Sequence, residues 1–341
     1  GVWRGVLSAV PALLLPVAGC TGVQSALDPA GKGAEAIGGI WWLFFWVCTA
    51  VYVLVMLTLI WAMLRRRGGY TPFSAPEVHP NQGTEGRIRR VVGVATAVTV
   101  AILLALTLVT YATNSKLFAQ SGDGAYGIEL IGHQWWWEVR YQAAQPSDTF
   151  ITADEIHLPV GETVKITLRS DDVIHSFWVP NLHGKKDLIP GQLNTLYLTA
   201  DRPGRFRGQC AEFCGAQHAH MALDVVAEPK DAFESWLDKQ RKSAKEPQTD
   251  EQKRGMQVFM SGPCAMCHAI TGTPAGGVVG PNLTHLASRM SLGAGRLPNT
   301  RGNRAGWIAD PQTQKPGNLM PPIVLPPDDL QALLSYLDTL D

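Results

Sequence analysis

The chain has 341 residues, 46% of them apolar, with 29 basic side chains against 29 acidic ones. That length accommodates two or three domains. The balanced charge excludes a global field for nucleic acid, so any charged partner must be recognised locally.

The first twenty residues combine Arg4, an apolar stretch from Leu7 to Leu15 and Val17-Ala18-Gly19-Cys20. This pattern resembles an export signal ending at a bacterial lipobox, which implies cleavage before Cys20 and its lipidation; a plain signal peptide is the alternative. Ile40 to Leu64 and Val91 to Ala112 then run without a charged residue. As helices they span roughly 37 and 33 Å, enough to cross a hydrocarbon core of about 30 Å, and they predict a two-helix transmembrane hairpin over 38–113. Trp41, Trp42, Trp46 and Trp61 lie toward the ends of the first segment, where interfacial side chains belong. Arg65, Arg66, Arg67, Arg87, Arg89 and Arg90 fill the connection and predict a cytoplasmic loop, so everything after about Tyr111 lies outside the cytoplasm. Cys48, inside the first segment, reads as inert packing.

Gly127 to Val226 reads as an all-β domain: Ile128 to Leu130, Val164 to Leu168 and Thr195 to Leu198 are short strand-forming runs bounded by Pro, Gly, Asp and Asn. A Greek-key sandwich or barrel over 125–228 follows. Asp231 with Glu234 forms a capping-box pattern for a helix whose apolar stripe is Phe233, Trp236 and Leu237, fading near Glu246. This helical linker, 229–248, ends at Glu246-Pro247-Gln248. Over 249–341, Thr249 with Gln252 opens a helix through Phe259, and Asp328 to Leu340 closes the chain with Leu330, Leu333, Leu334 and Leu337 on one face. The Gly- and Pro-rich stretch between them needs another source of core, such as a buried prosthetic group would supply.

Cys264-Ala265-Met266-Cys267-His268 is the attachment pattern of c-type haem. The two thiols reach the porphyrin vinyls, and His268 is directed at the iron. A zinc ribbon would need another ligand pair, and this region offers only His285. A thioether as sixth ligand raises the potential into the range of an electron carrier. Met256 and Met260 read as helix core, Met266 lies inside the attachment loop and Met290 sits among Ser and Arg; Met320, in Asn318-Leu319-Met320-Pro321-Pro322, is the best candidate. The domain resembles class I cytochromes c through Gly255, Phe259, Gly280-Pro281-Asn282-Leu283 and Met320. The resemblance implies that Pro281 offers its carbonyl to His268.

Cys210-Ala211-Glu212-Phe213-Cys214, His218 and Met221 form a second constellation. One thiolate, two imidazoles and a methionine would describe a mononuclear blue-copper site; the second thiolate allows both sulfurs to bridge two copper ions. A second imidazole must come from elsewhere, and Asp172-Val173-Ile174-His175-Ser176-Phe177 supplies it. His220 competes with His218, while His157 and His183 lie in loop-like contexts.

These residues, with Gly132-His133-Gln134-Trp135-Trp136-Trp137 and Pro190-Gly191-Gln192-Leu193-Asn194, resemble subunit II of cytochrome c oxidase from the first membrane helix to about Val226. The fused haem domain resembles the caa-type oxidases. The implied fold is a multidomain membrane protein: a transmembrane hairpin, a cupredoxin-like all-β Greek-key domain and a C-terminal all-α cytochrome c domain. The resemblance implies that Cys210 and Cys214 bridge the dinuclear copper A centre, that His175, His218, Met221 and the Glu212 carbonyl complete it, and that the Glu212 carboxylate binds magnesium shared with subunit I. It implies that Trp135 is the electron entrance. Glu85 would stand at the mouth of a proton path, although Gly86, Arg87, Ile88, Arg89 and Arg90 depart from the family pattern, and a solvated loop carboxylate is the alternative. The implied function is electron transfer from an external cytochrome c or similar donor through haem c and copper to subunit I, beside subunit III in the bacterial plasma membrane, for oxygen reduction with proton pumping. A nitric oxide reductase module, a copper chaperone and a thiol redox protein are the alternative readings. The haem domain's seven basic and seven acidic residues give it no strong steering face; a tether at about millimolar effective concentration takes the place of steering.

Overall fold

The computed structural model describes residues 22–65, 82–118 and 124–341. Cys20, Arg66 and Arg67 lie outside the described residues.

Helices α1 (Lys32–Arg65) and α2 (Gln82–Phe118) contain the two apolar segments and run beyond them at both ends. Both are long and apolar enough to cross a membrane. Thr58, Thr99, Thr107 and Thr110 fold their hydroxyls back onto carbonyls four residues earlier, which satisfies polar groups that lipid would leave unpaired. Cys48 is a free cysteine on the outward surface of α1. Glu85 lies exposed in the first turn of α2 and not in a loop, which suits a carboxylate at the positive end of a helix.

The β region is a sandwich of two five-stranded sheets. Its strands are β1 (Tyr126–His133), β2 (Trp136–Gln142), β3 (Phe150–Ala153), β4 (Glu155–Pro159), β5 (Thr163–Ser170), β6 (His175–Trp178), β7 (Lys186–Leu188), β8 (Asn194–Thr199), β9 (Gly204–Cys210) and β10 (Ala222–Glu228). One sheet runs β3-β2-β1-β5-β8, the other β4-β10-β9-β6-β7. Strand β5 alternates between buried and half-buried residues, as one-sided burial requires, and Val164, Ile166 and Leu168 meet Ile156, Leu158, Phe177 and Val225 of the opposite sheet in one core. Residues 22–34 lie along this sandwich. The fully buried Asn181 accepts from Ser25 N–H and donates to the Gly22 and Asp28 carbonyls. A Cβ on Gly31 would stand 2.5 Å from the Thr199 carbonyl oxygen, so only glycine permits that approach.

Helix α3 (Lys230–Gln240) starts without the expected capping box: Pro229 occupies the N-cap, and Glu234 accepts from Tyr126 Oη instead. It stops at Gln240, short of Glu246, because the following chain docks, with Ala244 N–H bonded to the Thr271 carbonyl. Phe233 and Leu237 join the sandwich core, and Trp236 stacks on His157 at 4.0 Å between ring centroids.

The C-terminal part comprises α4 (Asp250–Ser261), α5 (Cys264–Cys267), the short pair β11 (Ser291–Leu292) and β12 (Leu297–Pro298), α6 (Arg301–Ala309), α7 (Pro311–Gln314) and α8 (Pro327–Leu337). Thr249 and Gln252 form both halves of the capping box of α4. Helices α4 and α8 cross closely at Gly255, where a Cβ would fall 1.9 Å from the Ala332 carbonyl oxygen. Phe259 meets Tyr336 edge to face beside it. The last helix ends at Leu337 rather than Leu340, its Leu334 carbonyl capped by Asp338 N–H.

Candidate metal and haem centres

Cys210 ends β9, and the loop after it returns through a 3-10 turn at His218–His220 to β10. Cys210 Sγ lies 3.7 Å from Cys214 Sγ, 3.2 Å from the Glu212 carbonyl oxygen and 3.9 Å from His175 Nδ1. Cys214 Sγ lies 3.6 Å from His218 Nδ1 and 3.9 Å from Met221 Sδ. The structure thus brings together the six residues expected at a dinuclear copper centre. Two thiolates with imidazole, thioether and carbonyl donors suit soft copper ions, so the donor set fits that group. The hydrogen bond between the two sulfurs holds Cys210 far below the usual thiol range, with His175 acting in the same direction, and pushes Cys214 up. His220 does not join them, since its Nδ1 faces Gln217 Oε1 at 2.7 Å.

The loop depends on glycine and on a carboxylate that the sequence reading did not single out. Gly215 has φ +115°, and a Cβ there would reach 3.0 Å from the Trp135 ring and Gln134 Nε2. Gly132 makes room for His175, whose ring would lie 2.6 Å from an added Cβ. Asp172 Oδ1 meets His175 Nε2 at 2.8 Å and also accepts from Val173 N–H, which leaves His175 Nδ1 toward the sulfurs. Burial opposes the Asp172 charge, but these bonds outweigh it and hold the carboxyl below its ordinary range. A carboxylate three residues before the candidate histidine, at a turn, was the available signal. The Glu212 carboxylate is exposed and lies 3.5 Å from Lys185 Nζ. His157 proves to be a buried strand residue of β4, held between Glu155 and Glu228, and not a loop residue.

In the C-terminal part, a cavity of about 280 Å³ is lined by Cys264, Cys267, His268, Pro281 and Met320 together with Trp135 and Trp136 of the sandwich. His268 Nδ1 donates to the Pro281 carbonyl at 2.7 Å, which leaves Nε2 free to act as a ligand nitrogen. Burial pushes the His268 imidazole down, which favours the neutral, ligating form. Gly280 is required beside it, since a Cβ would lie 2.6 Å from the ring. The Met320 main chain is held by Asn318 Oδ1 and Gln312 Nε2, each at 2.8 Å. Met266 also lines the cavity but is 71% exposed, whereas Met256, Met260 and Met290 do not line it. Among the described residues, the buried Arg289 Nε and Arg304 Nε have no hydrogen-bond partner, and both residues line this cavity. An apolar cavity edged by two guanidinium groups, each with a buried Nε that has no partner, fits a porphyrin with anionic propionates. Sequence reading missed both arginines, for their spacing carries no motif. His285, the spare zinc ligand considered above, faces the carbonyls of Gln240, Lys242 and Asp341.

Trp135 lies between the thiol loop and the cavity: its Nε1 donates to the Cys214 carbonyl at 2.9 Å, and the residue lines the cavity. A two-cysteine loop with imidazole and thioether donors on a cupredoxin-like sandwich, beside a helical pocket with a haem-attachment motif, defines an electron-transfer protein. Residues 126–228 match the family described as cytochrome c oxidase subunit II, periplasmic domain, and residues 252–341 match cytochrome c. The chain is 34% identical over 99% of its length, and 98% of the relative's, to cytochrome c oxidase subunit 2 of Alkalihalophilus pseudofirmus. It is 31% identical to that of Bacillus sp. PS3 over 72% of each chain. A crystal structure of the periplasmic domain of subunit II of cytochrome oxidase from Bradyrhizobium japonicum superposes on 35% of this chain and 96% of that one, at 28% identity and a TM-score of 0.33. The chain belongs to the cytochrome c oxidase subunit II family, in the form that carries a fused cytochrome c domain.

Proposed function

We propose that this chain receives single electrons from an external cytochrome c or similar donor and delivers them to subunit I of a haem-copper oxidase, where oxygen is reduced to water and protons are pumped. Cys264 and Cys267 would bind haem covalently, with His268 and Met320 as its axial ligands. Cys210, Cys214, His175, His218, Met221 and the Glu212 carbonyl would hold the copper pair. When bound, these groups supply two one-electron carriers. The chain's own residues orient the ligand nitrogens through Asp172 and Pro281, exclude water, and place Trp135 between the two centres. Small movement at a rigid donor set keeps reorganisation low. The observation that carries the reading is the Trp135 indole, bonded to the carbonyl of one copper-ligand cysteine and facing the haem cavity.

The remaining roles follow the same reading. The exposed Glu212 carboxylate would take magnesium at the subunit I contact, Glu85 would stand near a proton path, and Cys20 would carry lipid. The hairpin would sit in the bacterial plasma membrane with both cofactor domains outside the cytoplasm, beside subunit III. Metal analysis and oxygen uptake by the purified complex test the proposal. A copper pair with one covalent haem, and oxygen consumption driven by reduced cytochrome c, are expected. Nitric oxide reduction without oxygen uptake would overturn it.

A further inference from the structure

Two buried charged residues, one from each domain, grip the main chain on either side of Trp136. Asp154, in the turn between β3 and β4, accepts from Trp137 N–H at 2.9 Å through Oδ1 and from Ala294 N–H at 3.1 Å through Oδ2. Lys315, after α7, donates through Nζ to the Trp135 carbonyl at 2.5 Å and to the Gly293 carbonyl at 2.9 Å. Each charge therefore holds one backbone group of its own domain and one of the other. Asp154 is 7% exposed and Lys315 2%.

Buried polar groups are costly unless hydrogen-bonded, and these two complete their hydrogen bonds only when the domains are docked. Around them, Glu155 Oε2 accepts from Met290 N–H, Asp224 Oδ2 from Ser291 Oγ and the Ala294 carbonyl from Ala222 N–H. The last three contacts fasten the 290–294 segment to the sandwich. The Asp154–Lys315 clasp ties the Trp135–Trp137 main chain to the other domain and, with Gln217 Nε2 donating to the Pro316 carbonyl at 2.8 Å, fixes the segment that leads, five residues after Lys315, to Met320.

Resting on the electron-transfer reading above, we propose that Asp154 and Lys315 are positioning residues that hold the haem cavity against Trp135 and so set the rate of the haem-to-copper step. One electron leaves the haem iron, which is oxidised, and the copper pair is reduced by it; neither residue gains or loses a proton or electron.

The test uses the purified complex carrying Lys315→Met, which keeps an unbranched side chain one atom shorter and removes the charge, with Asp154→Asn as a milder second variant. Haem-to-copper transfer is followed after photoreduction of the haem, with both midpoint potentials, the haem spectrum and the copper resonance spectrum recorded. Hydrogen exchange is read at 135–137 and 291–295. The expected result is transfer slowed roughly tenfold or more at unchanged potentials and spectra, because small displacements of reacting groups are costly, with faster exchange in both segments. Asp154→Asn should show the same change to a smaller extent. An unchanged transfer rate alongside faster exchange would reduce the clasp to a structural fastening and overturn the proposal, as would unaltered exchange. Absence of transfer in the unmodified complex would instead overturn the electron-transfer reading, and the exchange data would then judge only whether the two residues join the domains.

Discussion

Trp135 Nε1 donates to the Cys214 carbonyl at 2.9 Å, and the Gln134 side-chain amide donates to the same oxygen at 2.7 Å. Trp135→Phe should therefore cost little stability, about 1 kcal/mol or less, because the carbonyl keeps a donor. Electron transfer from haem to copper should slow clearly in the same variant. Flash photolysis with a thermal melt separates the two effects, and an unchanged transfer rate would remove the indole from the route.

Cys214→Ser leaves one sulfur where two are needed to bridge. The copper resonance should change from the hyperfine pattern of an electron shared by two equivalent nuclei to that of a single nucleus, with copper content halved. Oxygen uptake through the attached haem should fall by about two orders of magnitude, as for removal of a group that acts as part of a unit. Undiminished turnover would contradict the proposed copper role.

Gly255→Ala places a methyl group 1.9 Å from the Ala332 carbonyl oxygen. The helices must separate, at a cost of about 1–3 kcal/mol typical of overpacking. Calorimetry should show the haem domain unfolding several degrees lower, with the copper spectrum intact.

His157 gives a pH dependence. Burial opposes its charge, but hydrogen bonds and attraction from Glu155 and Glu228 outweigh burial and raise the imidazole above its ordinary value. Its stabilisation is therefore complete below an unfolded value of about 6.5 and is lost as pH rises through the higher folded value. For Glu155, burial raises the pKa, but bonds from His157 and Met290 N–H bring it below its ordinary value, so its contribution disappears as pH falls. Melting temperature should decline on the alkaline side, and His157→Gln should flatten that limb. A parallel decline in both proteins would show that other groups dominate.

The motifs most legible in the sequence were local ones. Cys264 to His268, Cys210 to Met221 and the Thr249 capping box each place their chemistry within about three helical turns of chain, where spacing fixes proximity. The same local rule failed at Asp231 and Glu234, because Pro229 took the cap and Tyr126, far away in sequence, claimed Glu234. His157 looked like a loop residue because its partners Glu228 and Trp236 arrive from β10 and α3. Asp154, Lys315, Arg289 and Arg304 had no signature, since each acquires a role only when two distant segments meet. Residues 22–34 were likewise unreadable, because Asn181, which fastens them, lies more than a hundred positions away.

The chain after α3 is held down rather than slack: His285 meets the Gln240 and Lys242 carbonyls through Nε2 and the Asp341 carbonyl through Nδ1, while Ala244 N–H bonds to Thr271. The short tether expected to supply about millimolar effective concentration is thus itself pinned, so the proposed donor and acceptor domains are held side by side rather than left to find each other. Their meeting needs no diffusion in any later turnover, and neither thick solvent nor added salt should delay it.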